Sequence, residues 1–521
     1  MKKIFIVLMA AGLVSASSCK KYLDVNTNPN APQDVTANLL LSPMLHWVAT
    51  SPVYDGRLIG RYTQNITSTG AGSSWDLQGY DPSSDNGGQL WRDVYWSLGV
   101  NLINMINKSE AEQRWDLAGV GYALKAWGWL QLTDMHGEII IKQAFDQTRT
   151  NFDYDSQEFA YSEVIRNLNM AIADLQRTDG AVDASFLGKT DIVYGGDRTK
   201  WLKFAYGLYA MTLNHFSNKS SYKPDDVIAA VDKSFASNSD NAGVKYTGVS
   251  NDDRNFIGPT RNNYTSYRQT VYILNMMNGT VTGGVQDPRL TRMLSPSQDG
   301  NYRGVVTGSG IASFATGTAP NNIWGYTSLP TVGTPTRYIF DDKSRYPIMT
   351  YSELQFIKAE AAFKKGDRAT ALDAYTKGVS AHIDYVNISQ ADVGATPPAI
   401  SATEKATFLA SPTVIPTAAN LTLAQIMNQK YIALWGWGFV ETWMDMRRYH
   451  YNVDTDPATG RAVYENYVFP TTLYADNGGK PAYRVRPRYN SEYVNNSAAL
   501  NAIGALARDY HTKEMWITQK N

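Results

Sequence analysis

The chain is nearly free of thiols, with one cysteine, Cys19, in 521 residues. That excludes an intrachain disulfide, a Cys-x-x-Cys redox pair and a cysteine-rich zinc site. Histidine is scarce as well: six residues, widely scattered and without a His-Glu-x-x-His pair, give no basis for a histidine metal centre. Neither a Gly-x-Ser-x-Gly nucleophile turn nor a phosphate-cradling Gly-x-x-x-x-Gly-Lys loop occurs. Excess charge is missing too, since 48 Lys+Arg balance 48 Asp+Glu, so nothing electrostatic draws the chain to nucleic acid. Beyond the N-terminus no uncharged apolar run approaches the ~18 residues that would mark a membrane-spanning helix. What is present is a hydrophobic content of 43%, enough for a large core. Tyrosine and tryptophan, at 33 and 13, outnumber the 16 phenylalanines, and both combine an apolar plate with a polar tip. At about 150 residues per domain the length alone suggests about three domains.

The N-terminus points to export. Lys2 and Lys3 precede an apolar stretch from Ile4 to Val14, too short to span a bilayer but suited to a signal peptide. Ser15, Ala16, Ser17 and Ser18 then lead to Cys19. Small residues ending on a cysteine resemble the lipobox of bacterial lipoproteins, although Ala16 stands where leucine is usual. We therefore expect a signal peptide over 1–18, lipidation at Cys19 and an extended polar leader over 19–33. Acyl chains at one residue would tether an otherwise soluble body, each buried CH₂ adding ~0.8 kcal/mol.

Helical periodicity dominates the remainder. Trp91, Val94, Tyr95, Leu98, Leu102, Met105 and Ile106 form an apolar stripe over 89–108. Similar stripes run over 115–135, 158–176 and 199–216, with Trp127 and Trp201 on them, and further helices are expected near 34–49, 224–237, 264–278, 351–365, 368–386 and 421–446. Strand-like alternation is confined to short pieces such as 336–340. In 351–386, Ala359, Gly366, Ala371, Tyr375 and Gly378 follow the tetratricopeptide pattern of small residues at a helix crossing beside a wedging aromatic. The fold class is thus mostly α: tetratricopeptide-like helix pairs in one helical domain over 34–521, interrupted by loop-rich insertions at about 64–88, 239–350 and 388–420. Loops of such length in a compact protein are usually functional.

The loops supply the binding candidates. Trp75 and Tyr80 lie among Gly, Ser, Asp and Gln; Trp324 and Tyr326 follow Asn321 and Asn322, with Tyr302 and Arg303 upstream. A sugar ring offers an apolar C–H face and a hydroxyl rim, which a flat aromatic beside polar side chains matches; a peptide would suit the same set. Pinning of the loops to the scaffold accounts for these aromatics equally well. No catalytic residues stand out. Asp252–Asp253 and Asp341–Asp342 are adjacent carboxylates, read as solvated turns rather than as the carboxyl pair of a glycosidase, ~5–9.5 Å apart across a bond. Asp454, Asp456 and Gly460 faintly suggest a calcium loop but miss the EF-hand spacing, so they too read as a turn. His136 reads as a helix-end residue, and Trp435 and Trp437, alternating with Gly436 and Gly438, as close helix packing.

Several segments together resemble the SusD/RagB family of outer-membrane nutrient-binding lipoproteins, in its SusD-like branch. They are the leader from Cys19 to Pro32; Trp91-Arg-Asp-Val-Tyr95 with Asn101 and Ile106; Leu132 to Glu138, where the family's Phe-Gly-Asp-Val-Pro keeps only its glycine; Gly196 to Trp201; Arg345 to Ala362; and Gly436 to Arg448 with its Asp-x-x-Arg. The resemblance implies a scaffold of four tetratricopeptide-like helix pairs. It also implies an outward-facing outer-membrane lipoprotein without a cofactor or enzymatic activity. Such a protein sits on a SusC-like TonB-dependent transporter barrel and hands it oligomeric nutrients, usually glycans. A surface-anchored helical glycan hydrolase, a peptide-binding capture protein of the same architecture and a tetratricopeptide scaffold that binds only proteins are the alternatives.

Overall fold

A computed structural model describes residues 35–81 and 83–521. The signal peptide, Cys19 and the leader lie outside these residues. Most expected helices form, but the one expected near 34–49 runs later, the stripe over 89–108 is split in two and that near 224–237 is shorter: α1 (Leu41–Tyr62), α2 (Gln89–Arg92), α3 (Gly99–Ala111), α4 (Trp115–His136), α5 (Gln157–Gln176), α6 (Arg198–His215) and α7 (Pro224–Asp232). After a loop-rich stretch come α8 (Val271–Met277), α9 (Tyr351–Lys365), α10 (Arg368–Ala391), α11 (Ala402–Leu409), α12 (Leu423–Leu434) and α13 (Phe439–Arg448). Short helical turns fill some of the connections. Starts are fixed by capping side chains: Ser156, Asp197 and Asp367 each accept a bond from the first turn, and Thr350 forms a reciprocal capping box with Glu353. At its end α9 turns off through Gly366, whose φ of 89° suits glycine.

The helices pack mostly on their neighbours in sequence: α3 on α4, α4 on α5, α5 on α6, α6 on α7 and α9 on α10, with α9 also bridging to α7 and α12. This is the tetratricopeptide-like arrangement of adjacent helix pairs. Close approach needs small residues. A Cβ at Gly119 of α4 would lie 2.6 Å from Leu175 of α5, and one at Gly378 of α10 would lie 2.9 Å from the Phe356 ring of α9. Trp91, Trp127, Trp201 and Trp443 are all core residues, as their stripes require.

Three local expectations are corrected. The segment 421–446 is two helices, broken at Trp435–Gly438, where Gly436 takes a φ of 86° and Phe439 drives its ring against Gly56 and Gly60 of α1. In 264–278 only α8 is helical; Tyr267–Gln269 is strand β3, paired antiparallel with β1 (Ile66–Ser68). No strand forms over 336–340; instead β4 (Tyr346–Met349) pairs antiparallel with β2 (Ala242–Val244). Both sheets are two-stranded, and among the described residues no barrel forms.

A buried ionic network ties the helices together. Arg448 of α13 meets Glu360 of α9 at 2.7 Å and Asp445 at 2.5 Å. Lys430 of α12 meets Glu441 at 2.7 Å and Asp445 at 2.8 Å. His215 of α6 lies 2.9 Å from Glu441 and 3.5 Å from Asp134 of α4. Burial opposes ionisation of Glu360, but the Arg448 guanidinium prevails and holds its carboxyl far below the ordinary range. The segments Arg345–Ala362 and Gly436–Arg448, picked out in the sequence, thus meet at the Glu360–Arg448 pair.

Candidate functional site

The scaffold carries a face of irregular loops in which 64–81 lies against 264–270 and 295–340. The β1–β3 pair brings the first two together. The loops after β1 then run beside 305–311, joined by Gly72 N–H to the Gly308 carbonyl at 2.9 Å and Ile311 N–H to the Thr69 carbonyl at 3.0 Å. The long insertions at about 64–88 and 239–350 therefore meet on one side of the molecule.

The six candidate loop residues divide into two groups. Trp75, Tyr80 and Trp324 are core residues, exposed by 3%, 3% and 1%. Trp75 stacks on Tyr62 of α1 with centroids 5.1 Å apart and touches Tyr80 at the same separation. Tyr80 donates to the Asn86 carbonyl at 3.0 Å, and Trp324 donates its indole N–H to the Ile257 carbonyl at 2.8 Å. These three plates are covered by protein and offer no face to a ligand. Their sequence context is polar because the turns around them are solvated, not because the rings are. The neighbouring Asp76 forms a buried 2.7 Å ion pair with Arg61 of α1, which pins the same loop.

Tyr302, Arg303 and Tyr326 remain half-buried at the loop surface. Arg303 is paired with Asp299 at 2.7 Å in an exposed bridge that raises the guanidinium's pKa through direct hydrogen bonding. Tyr326 donates to the Pro335 carbonyl at 2.7 Å. Arg337 lies beside both tyrosines, and burial lowers its pKa. A Cβ at Gly325 would lie 2.7 Å from its Nη2, so glycine there lets the backbone rest on the guanidinium. Arg337 donates through Nη1 to the Leu294 and Thr291 carbonyls, while its Nε has no partner among the described residues. This arginine escaped notice in the sequence because 336–340 reads as a strand.

The other polar candidates have structural partners. Asp342 is buried, accepting the Thr260 amide at 3.0 Å and its hydroxyl, which corrects its reading as a solvated turn residue; Asp252 is exposed. Asp454 is held by His450 at 2.9 Å and Lys520 at 2.7 Å, and Asp456 accepts the Ala424 amide at the start of α12 at 3.0 Å. His136 ends α4, buried, with Nδ1 3.0 Å from the Val485 carbonyl. Among the described residues no cluster of His, Cys, Asp or Glu is arranged to hold a metal ion. No helix among them is long and apolar enough to cross a membrane.

Comparison with known proteins agrees with this architecture. No curated protein sequence matches the chain closely. A SusD/RagB family protein from Bacteroides thetaiotaomicron superposes with a TM-score of 0.71 at 22% identity, covering 94% of this chain and 100% of its own. A SusD homolog from Bacteroides fragilis gives 0.69 at 18% identity over 94% and 100% of the two chains. A chitin-binding SusD homolog from Flavobacterium johnsoniae gives 0.65 at 20% identity over 93% and 99%. At these identities the structures establish the fold. The family model described as "SusD-like: starch-binding associating with outer membrane" matches residues 29–474, and the chain belongs to that SusD-like family.

Proposed function

We propose that this protein is a cell-surface lipoprotein, anchored in the outer membrane through Cys19, that captures oligomeric glycans and delivers them to a SusC-like TonB-dependent transporter without acting on them chemically. Family membership over most of the chain carries this reading. It is supported by a helical scaffold whose long loops leave Tyr302, Arg303 and Tyr326 half-buried at the loop surface. Half-buried tyrosines beside arginines supply flat apolar surface and directional donors, the combination a pyranose ring needs. Removal of signal residues 1–18, with 19–33 kept as an extended leader between the lipidated Cys19 and the folded body over 34–521, is part of the same proposal.

Calorimetric titration of the purified chain with malto- and chito-oligosaccharides tests the capture step. Binding that weakens in Tyr302→Ala and Tyr326→Ala at unchanged melting temperature is the expected result; no binding to any member of the series would refute it. Release of reducing ends from those glycans would instead establish the hydrolase alternative. Cys19→Ala should move the protein from the membrane to the soluble fraction, and detergent purification from native membranes should bring a barrel with it.

A further inference from the structure

A cluster of aromatic side chains lies on the scaffold, apart from the loop face. Between α2 and α3 the chain makes a π-helical turn over Asp93–Leu98. Such turns are rare and costly, and they recur at functional positions. This one is held from inside: the buried Asp93 carboxylate accepts the Ser51 hydroxyl at 2.6 Å, the Gln89 amide at 2.8 Å and the Ser97 hydroxyl at 2.8 Å. Trp91, Val94 and Leu98 keep to the core, whereas Trp96 is left 79% exposed. Among the described residues Trp96 makes no hydrogen bond and no ring contact.

Trp96 is the lip of a cavity of about 200 Å³. Its apolar lining comes from Trp91, Tyr95, Ile140 and Phe152, and the C-terminal segment contributes Ser491, Glu492 and Arg488, the last paired with Asp85 at 2.5 Å. The walls are fixed. Tyr95 donates to the Ile140 carbonyl at 2.7 Å and accepts the Ile140 amide at 2.9 Å. Glu492, 6% exposed, accepts Tyr154 at 2.7 Å and the Asn496 amide at 2.9 Å, both through Oε2. Three polar groups at the cavity are left over. Glu492 Oε1 and the Arg92 guanidinium have no hydrogen-bond partner among the described residues, and the Ser491 hydroxyl is buried without one.

We propose that this cavity is a carbohydrate subsite that takes a single pyranose ring of a longer glycan. The volume is below the ~300–1,000 Å³ of sites that enclose a whole small molecule, which fits one ring better than a complete ligand. Trp96 gives the ring's C–H face a plate to stack on. The unpaired acceptor at Glu492 and the unpaired donors at Ser491 and Arg92 meet its hydroxyls. The inference rests on the glycan-capture reading and places a contact apart from the tyrosines of the loop face.

The test is calorimetric titration of the full chain and its Trp96→Ala and Trp96→Phe variants with malto- and chito-oligosaccharides of six or seven units. Because Trp96 is solvent-exposed, both variants should keep the wild-type melting temperature. The expected result is affinity about tenfold weaker in Trp96→Ala, substantially restored in Trp96→Phe. Wild-type binding that is unchanged in Trp96→Ala overturns the subsite and leaves the capture reading standing. A wild-type chain that binds none of these glycans overturns both.

Discussion

Arg448 in the helical scaffold and Arg337 in the loop face are both buried guanidinium groups, and they are satisfied in opposite ways. Arg448 faces two carboxylates, Glu360 and Asp445. Arg337 faces only backbone carbonyls, and so does Arg268, which donates to Pro320, Thr265 and Tyr267 at 3.0, 2.8 and 2.8 Å. In the scaffold most helix carbonyls are taken by their own helix, and Arg448 is matched instead by buried acids, Glu360 on α9 and Asp445 on its own helix. In the loops, carbonyls lack helical or strand partners, and a five-donor guanidinium gathers several of them at once. Arg448 thus serves as a charge-pairing clamp between helices, and Arg337 and Arg268 as backbone staples in the loops. The price of the staple is a cation without a counter-ion: burial alone lowers Arg268 to about 10.

The comparison breaks most visibly at Arg448. Arg448→Met removes the guanidinium paired with Glu360 and leaves that carboxylate buried between α9 and α13. Losing one partner of a buried pair costs about 3–5 kcal/mol, so the midpoint of urea unfolding should fall sharply and for the whole molecule. A loss under about 1 kcal/mol would show that packing, not the network, joins these helices. Trp324→Ala probes the other region. A fully buried tryptophan in a well-packed core loses about 3 kcal/mol or more on truncation. The melting temperature should fall with it, whereas a stable variant with altered glycan binding would return Trp324 to the ligand surface.

The pH dependence separates the regions next. Burial disfavours a charged His215, but Asp134 and Glu441 overcome it and hold the imidazole at about 9, above its ordinary 6.5. The folded state therefore binds this proton more tightly than the unfolded chain. Its stabilisation is complete below about pH 6.5 and is lost as the pH rises through about 9, an effect on the order of 2–3 kcal/mol. Stability measured by urea unfolding should decline across that window in the wild type and decline less in His215→Asn. An equal decline in both would assign it to another group, His450 being the first to examine, since its hydrogen bonds to the Asp454 and Glu514 carboxylates also raise it to about 9.

Much of the scaffold was legible in the sequence because an apolar stripe is a local statement. The helices over 115–136, 157–176, 198–215 and 351–365 begin and end within a residue of their periodicity. The loops were legible only as loops. Whether Trp75 faces solvent is decided by Tyr62 on α1 and Tyr80, and nothing near Trp75 in the sequence announces that stack. The opposite error hid Trp96. It lies within the span of a strong stripe but off the stripe itself, and a tryptophan at a non-stripe position was the available signal. Fold came from repeated short-range pattern; the candidate site depends on single long-range contacts, which one sequence does not display.

The finest test of the comparison is Arg268→Met. If Arg268 is a staple, its loss leaves the carbonyls of Pro320, Thr265 and Tyr267 without that donor. Such carbonyls cost about 1–3 kcal/mol when they stay dry, but loops at a surface can open and hydrate them. The penalty should therefore appear as local opening: faster limited proteolysis within 295–340, with global unfolding shifted by only about 1 kcal/mol. Arg448→Met should show the reverse, a large global loss without selective cleavage in those loops. If Arg268→Met instead unfolded the protein as a whole, the loop face would be as integral to stability as the helices. The two arginines would then be doing one job through different acceptors rather than two.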